Sequence, residues 1–190
     1  MKLQRILPFA KQLLQNVAGQ GDIVIDATIG NGHDTVFLAM LVGENGHVYG
    51  FDIQAEAINN TTDRLKAVQL DKHVTLFQHG HEYIKAIIPT ELHGKISGAI
   101  FNLGYLPGGD QSIVTVPETT ISAIDQLLDM LKPEGMIVIV IYHGHEEGKV
   151  ERDALMDYVK TINPADAHVL QYQFINKQNN PPYIIAIEKC

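Results

Sequence analysis

Residues 23–41 constrain the chain more than any other stretch. Ile23-Val24-Ile25-Asp26 is an apolar run closed by an acid, Ala27-Thr28-Ile29-Gly30-Asn31-Gly32 follows with two glycines, and Thr35-Val36-Phe37-Leu38-Ala39-Met40-Leu41 reads as helix. A buried strand that turns through glycines into a helix opens a βα unit, and the glycines let the backbone turn tightly and approach a ligand. A second strand, His47–Phe51, ends at Asp52, twenty residues beyond Gly32. In α/β nucleotide folds that is where an acid takes ribose hydroxyls.

Charge selects among ligands for this turn. A dinucleotide fingerprint, G-x-G-x-x-G, offers amides to a pyrophosphate, whereas here Thr35 replaces the third glycine and Asp26 and Asp34 flank the turn. Two carboxylates beside a phosphate repel it. They suit a ligand that joins adenosine to a cationic amine and sulfonium, which is S-adenosylmethionine. At these residues the sequence resembles the class I methyltransferases. The resemblance implies that Asp26, Thr28, Gly30, Asn31, Gly32, Asp34 and Thr35 hold the methionine part and that Asp52, Ile53 and Gln54 hold the ribose side, with S-adenosylhomocysteine as product. The competing reading is an ordinary strand-turn-helix with glycines for geometry alone.

With 190 residues, 45% of them hydrophobic and 19% charged, the chain fits one domain over 1–190, an N-terminal helix over 1–18 followed by a sheet core over 22–190. No apolar stretch approaches the roughly 20 residues of a membrane helix, and Met1-Lys2-Leu3-Gln4-Arg5 lacks the pattern of a signal peptide, so a cytoplasmic protein is expected. The single cysteine, Cys190, excludes an internal disulfide framework. A formal charge of −8 argues against indiscriminate nucleic-acid binding. It leaves room for a local basic face, for which Lys2, Arg5, Lys11, Lys149, Arg152 and Lys177 are candidates.

Leu3, Ile6, Leu7, Ala10, Leu13, Leu14 and Val17 form one helical stripe despite Pro8. A second crossover helix spans Gln54–Val68, and a third strand, His73–Phe77, stops at Gln78-His79-Gly80-His81-Glu82. In the methyltransferase fold this end faces adenine, making His79, Gly80 and His81 candidate contacts; the alternative is a polar loop. No third ligand stands at a matched spacing from the two histidines, so no metal is expected. Glu82–Ile88 reads as a short helix, and Ile96–Phe101 as a fourth strand beside the first, where ligands bind at the topological switch point.

The fourth strand runs into Asn102-Leu103-Gly104-Tyr105, which resembles the Asn/Asp-Pro-Pro-Tyr tetrapeptide of amino-directed methyltransferases, with Leu-Gly for Pro-Pro. The resemblance implies that Asn102 and a backbone carbonyl accept hydrogen bonds from the target amine while Tyr105 stacks on its base, and Asn102 also touches the cofactor. A loop over Gly108–Pro117 and a helix from Glu118 or Thr119 follow. Met136–Ile141, apolar on both faces, reads as a central parallel strand. It empties into Tyr142-His143-Gly144-His145-Glu146-Glu147-Gly148, where Tyr142 can stack on a base and His143 or His145 can bind or move a proton. A helix over Val150–Ile162 and two alternating strands, His168–Phe174 and Tyr183–Glu188, complete a seven-stranded, mostly parallel α/β sheet with a C-terminal antiparallel hairpin and helices on both faces.

Taken together, the Asp26–Thr35 turn, the Asn102–Asp110 segment, Tyr142-His143-Gly144-His145 and the closing Asn180-Pro181-Pro182 resemble the rRNA methylase family, Gram-positive members of which are assigned as tRNA 5-(aminomethyl)-2-thiouridine methyltransferase. The resemblance implies methylation of the aminomethyl group of the wobble uridine, the anticodon region of tRNA as partner, and Asn102, Tyr105, Tyr142 and His145 as catalytic residues. A homodimer would widen the RNA-binding surface. The alternatives are a methyltransferase for rRNA or a small molecule and, in another class, a nucleotide-binding oxidoreductase or a non-catalytic binding module.

Overall fold

The computed structural model describes residues 2–110, 112–144 and 146–190, without the side chain of Glu146. In chain order the elements are α1 (Ile6–Val17), β1 (Ile23–Asp26), α2 (His33–Val42), β2 (His47–Phe51), α3 (Ala55–Ala67), β3 (Val74–Phe77), α4 (Ile84–Ile87), β4 (Ile96–Leu103), α5 (Pro117–Met130), β5 (Leu131–Ile141), α6 (Glu146–Val159), β6 (Ala167–Tyr172) and β7 (Tyr183–Lys189). The strands form one seven-stranded sheet in the order β3-β2-β1-β4-β5-β7-β6. All pairs from β3 to β5 are parallel, and β7 runs antiparallel between β5 and β6.

Strand composition follows from covering both faces. Along β5, Ile137, Ile139 and Ile141 enter one core with Ala123, Ile124 and Leu127 of α5 and Leu155 of α6. The alternate residues Met136, Val138 and Val140 enter the opposite core with Leu13 and Leu14 of α1 and Leu38 of α2. A continuous apolar run is therefore what a period-two strand needs when helices pack on each side. Phe51 and Phe101 are wholly buried in the first core. Truncating such a ring to alanine costs about 3–5 kcal/mol.

Several boundaries differ from the periodicity. Helix α1 begins at Ile6 rather than Leu3, leaving Leu3 exposed, and Pro8 sits in its first turn, where an amide would lack an intrahelical acceptor in any case. Pairing of β5 starts at Leu131, opposite Ile96, and the ladder is interrupted before Met136. Glu134 within this interruption has φ +62°. Pro133 is thus accommodated in an irregularity rather than ending the segment. Helix α6 starts at Glu146, so Gly148 lies in its first turn instead of the loop before it. The β-strand order reverses between β1 and β4, which opens a crevice at their C-terminal ends.

Candidate functional site

The ends of β1, β2, β4 and β5 open into a cavity of about 970 Å³. That is the upper part of the range for small-molecule sites. One half is built by the glycine turn. Gly32 adopts φ +77° and precedes α2, and a Cβ there would stand 2.6 Å from the Thr61 hydroxyl. Thr61 in turn donates to the Gly30 carbonyl at 3.3 Å. The turn is pinned to α3 as well as to its own strand.

The two acids that flank the turn have different surroundings. Asp26 is wholly buried; its carboxylate accepts the Thr35 hydroxyl at 2.6 Å and the Thr28 amide at 3.3 Å. Burial, followed by the nearby charge of Asp34, pushes its carboxyl up to about 7 despite those bonds. Asp34 lies in the cavity wall, where it accepts the Asn102 side-chain amide at 2.9 Å and pairs with Lys11 at 3.4 Å. Asp52 accepts the Gly30 amide at 2.9 Å and the Gln54 amide at 3.0 Å. Two backbone donors orient this carboxylate and leave its remaining lone pairs for ligand hydroxyls.

His81 forms a deeper part of the wall. Its ring is 7% exposed, stands edge-on to Phe101 and has Nδ1 3.1 Å from the Ala27 carbonyl. A carbonyl requires Nδ1 to carry the proton, so Nε2 is an acceptor, and it has no hydrogen-bond partner among the described residues. Burial lowers the His81 pKa, outweighing the Ala27 bond and the charges of Glu82 and Asp52, so the ring is held neutral. This neutral acceptor fits a ligand that brings an N–H donor.

The other half of the cavity is assembled from distant segments. The Asn102 amide N–H donates to the Thr28 hydroxyl at 2.7 Å, and its side-chain NH₂ is committed to Asp34. The carbonyl oxygen and the second N–H of the amide are what Asn102 has left for a ligand. Tyr105 and Tyr142, 42% and 38% exposed, line the mouth. Burial raises the Tyr142 hydroxyl pKa, with Asp34 adding to it. His143 is 5% exposed, donates from Nε2 to the Pro181 carbonyl at 3.1 Å and leaves Nδ1 without a hydrogen-bond partner among the described residues.

Fourteen expected residues line the cavity: Thr28, Gly30, Asn31, Asp34, Asp52, Ile53, Gln54, His79, Gly80, His81, Asn102, Tyr105, Tyr142 and His143. Asp26, Gly32 and Thr35 do not; they shape the turn from behind, because the Asp26 side chain points to Thr35 and the Gly32 α-carbon faces Thr61. His145 lies outside the described residues. His79 is exposed, whereas His81 is interior, so the polar-loop alternative does not describe His81. Lys11, expected on a basic surface, instead pairs with Asp34 in the cavity wall. Among the described residues no cluster of three His, Cys, Asp or Glu could hold a metal, and no helix is long and apolar enough to cross a membrane.

Thr115 belongs to the Gly108–Pro117 loop, expected to fold over a ligand, and Asn180 to the closing Asn-Pro-Pro segment, whereas Leu7 and Thr119 as lining residues, and Glu151 behind them, were missed. Glu151 left a signal. It shares the four-residue spacing of Leu155 and Val159, so a carboxylate stands in the buried stripe of α6.

Comparison with known proteins places this geometry. The family model described as "Putative rRNA methylase" matches residues 48–188. A protein of Arabidopsis thaliana called tRNA (mnm(5)s(2)U34)-methyltransferase, chloroplastic, is 36% identical over 92% of the chain, which spans 66% of that relative's length. The crystal structure of a Clostridium thermocellum protein described as "putative rRNA-methylase" superposes with a TM-score of 0.96 at 41% identity, covering 100% of both chains. A Streptococcus mutans structure described as "a putative methyltransferase" in complex with SAH gives 0.89 at 37% identity, with 99% of each chain covered.

Proposed function

Because the chain belongs to the rRNA methylase family, we propose that it is an S-adenosylmethionine-dependent methyltransferase acting on RNA, and specifically on the aminomethyl group of 5-aminomethyl-(2-thio)uridine at the tRNA wobble position. The observation that carries this reading is Asn102. Its NH₂ gives one of its two hydrogens to Asp34, which fixes the plane of the amide and sets its carbonyl oxygen as an acceptor for an amine nucleophile. The SAH in the Streptococcus mutans protein supports the cofactor, and the name of the Arabidopsis relative supports the nucleoside. The reading extends to a cytoplasmic enzyme that engages the anticodon region.

S-adenosylmethionine supplies an electrophilic methyl group on a sulfonium centre. Asp52 is oriented to accept ribose hydroxyls, and His81 Nε2 to accept an N–H donor of the cofactor. Asp34 fixes the Asn102 amide and, with the cofactor bound, would supply negative charge for its cationic groups. Tyr105 and Tyr142 offer exposed rings at the mouth for a base taken out of its stack. Transfer is an in-line displacement, so alignment and an available nitrogen lone pair are the main requirements. The target ammonium must first lose a proton. His143, with its tautomer set by Pro181, lines this half of the cavity and keeps Nδ1 buried without a hydrogen-bond partner among the described residues.

Mass spectrometry of tRNA nucleosides from a deletion strain tests the substrate. The reading requires loss of the methylated wobble nucleoside; an unchanged tRNA profile with an altered rRNA or metabolite overturns it. Calorimetry tests the class: micromolar S-adenosylmethionine binding without nicotinamide binding is expected, and the opposite preference removes the methyltransferase reading.

A further inference from the structure

We propose that Glu151 and Thr115 are positioning residues for the Asn102–Tyr105 tetrapeptide, joined to it by a hydrogen-bond relay from α6; this rests on the methyl-transfer reading above. Glu151 is 2% exposed in a helix face otherwise occupied by Leu155 and Val159. Burying a carboxylate is costly unless hydrogen bonds replace its water. Two hydroxyls do so, Thr115 at 2.5 Å on one oxygen and Thr120 at 2.7 Å on the other. An apolar residue would satisfy the packing of this stripe, so the acid points to a directional role.

The direction is set by donor counting. The Thr115 hydroxyl accepts the Gly104 N–H at 3.0 Å and has one proton of its own, which goes to Glu151. The relay therefore runs from the Gly104 amide to Thr115 and then to the carboxylate. Thr115 also donates its backbone N–H to the Gly104 carbonyl at 3.0 Å. One residue thus holds both backbone polar atoms of Gly104.

Peptide planarity converts this grip into a statement about the site. The Gly104 N–H and the Leu103 carbonyl belong to one trans peptide unit, so fixing the N–H toward Thr115 aims the Leu103 carbonyl the opposite way. Gly104 takes φ +146°, a conformation that L side chains rarely adopt, which makes its two flanking planes depend on external anchors. On the other side, the Asn102 amide N–H is anchored by Thr28. Alternate peptides at the end of β4, Phe101–Asn102 and Leu103–Gly104, are therefore held by two threonines, and Glu151 polarises the hydroxyl of the second. Thr115 lines the cavity, so a shift here moves the wall beside the reacting amine. Misplacement by about 1 Å can cost about 100-fold in rate.

The relay is tested with Thr115→Val, which keeps the shape and removes the hydroxyl, Thr115→Ser, which restores it, Glu151→Gln, and Thr120→Val, which touches Glu151 but not Gly104. Methyl transfer to tRNA bearing 5-aminomethyluridine gives kcat and KM, calorimetry gives S-adenosylmethionine affinity, and NMR hydrogen exchange reads the Gly104 amide. Thr115→Val is expected to lower kcat about 10–100-fold with cofactor affinity within about twofold, Glu151→Gln to fall less, Thr120→Val least, and Thr115→Ser to recover most of the loss. Exchange at Gly104 should accelerate in Thr115→Val and Glu151→Gln. Retained kcat and retained Gly104 protection in Thr115→Val overturn the relay, as does a loss that parallels cofactor affinity and thermal stability or that Thr115→Ser does not restore. If the wild-type protein fails to methylate this tRNA, the substrate reading falls, while the Gly104 exchange series still decides the relay.

Discussion

The two halves of the cavity are built on different plans. The half around Gly30, Asp34 and Asp52 comes from β1, β2 and the turns after them: Asp26 and Asp52 each accept the amide two residues on, Asp52 also accepts the Gly30 amide of the turn itself, and only Asp34 reaches to Asn102 and Lys11. The half around Asn102 and Tyr142 draws on the ends of β4 and β5, the segment before α5, the start of α6 and the turn before β7, joined by side chains distant in sequence. A half made by neighbours tolerates little change in backbone conformation but needs few remote partners. A half made by remote side chains keeps its shape only while each link survives.

The sharpest way to break the comparison is to remove one group from each half. Asn102→Ala should lower methyl transfer about 10²–10³-fold in single-turnover assays, with a much smaller effect on cofactor binding. Asp52→Ala should do the reverse, weakening S-adenosylmethionine about 10–100-fold by calorimetry, as expected for the loss of hydrogen bonds to a charged acceptor. If both variants lose cofactor affinity equally, the cavity has no such division.

Backbone dependence in the first half predicts a stability effect. Gly32→Ala places a Cβ against Thr61 in a left-handed conformation and should cost about 1–3 kcal/mol in denaturant unfolding. Asp26 sharpens the contrast through pH. Its folded-state carboxyl is raised from 3.8 to about 7, so the folded protein holds a proton that the unfolded chain releases. Stability from this group is full below about pH 4 and declines as pH rises toward 7. Wild-type Tm should therefore fall by a few degrees between pH 5 and 8, a slope that Asp26→Asn removes. Parallel slopes in the two proteins would show that Asp26 does not carry the effect.

The same contrast explains what could be read from the chain. The Asp26–Asp52 unit was legible because strand, turn and helix lie consecutively, and β5 was legible because both faces of Met136–Ile141 are apolar. Asp26 and Thr35 were recognised as part of the turn, but sequence distance does not show that a carboxylate points away from a cavity. Glu151 is 36 residues from Thr115 and 31 from Thr120, so no local pattern links them. Its lone sign was an acid at helical spacing with Leu155 and Val159. Lys11 was read as a surface charge because its partner Asp34 belongs to another helix.

The insertion of β7 between β5 and β6 has a consequence for biosynthesis. On a ribosome the edge of β5 must wait for α6 and β6 to be made before the strand that covers it emerges. The carbonyl of Pro181 that fixes His143 arrives just ahead of that strand. A nascent chain can therefore complete the βα turns around Gly30 before it can close the wall that holds the target, and its exposed β5 edge needs protection during that interval.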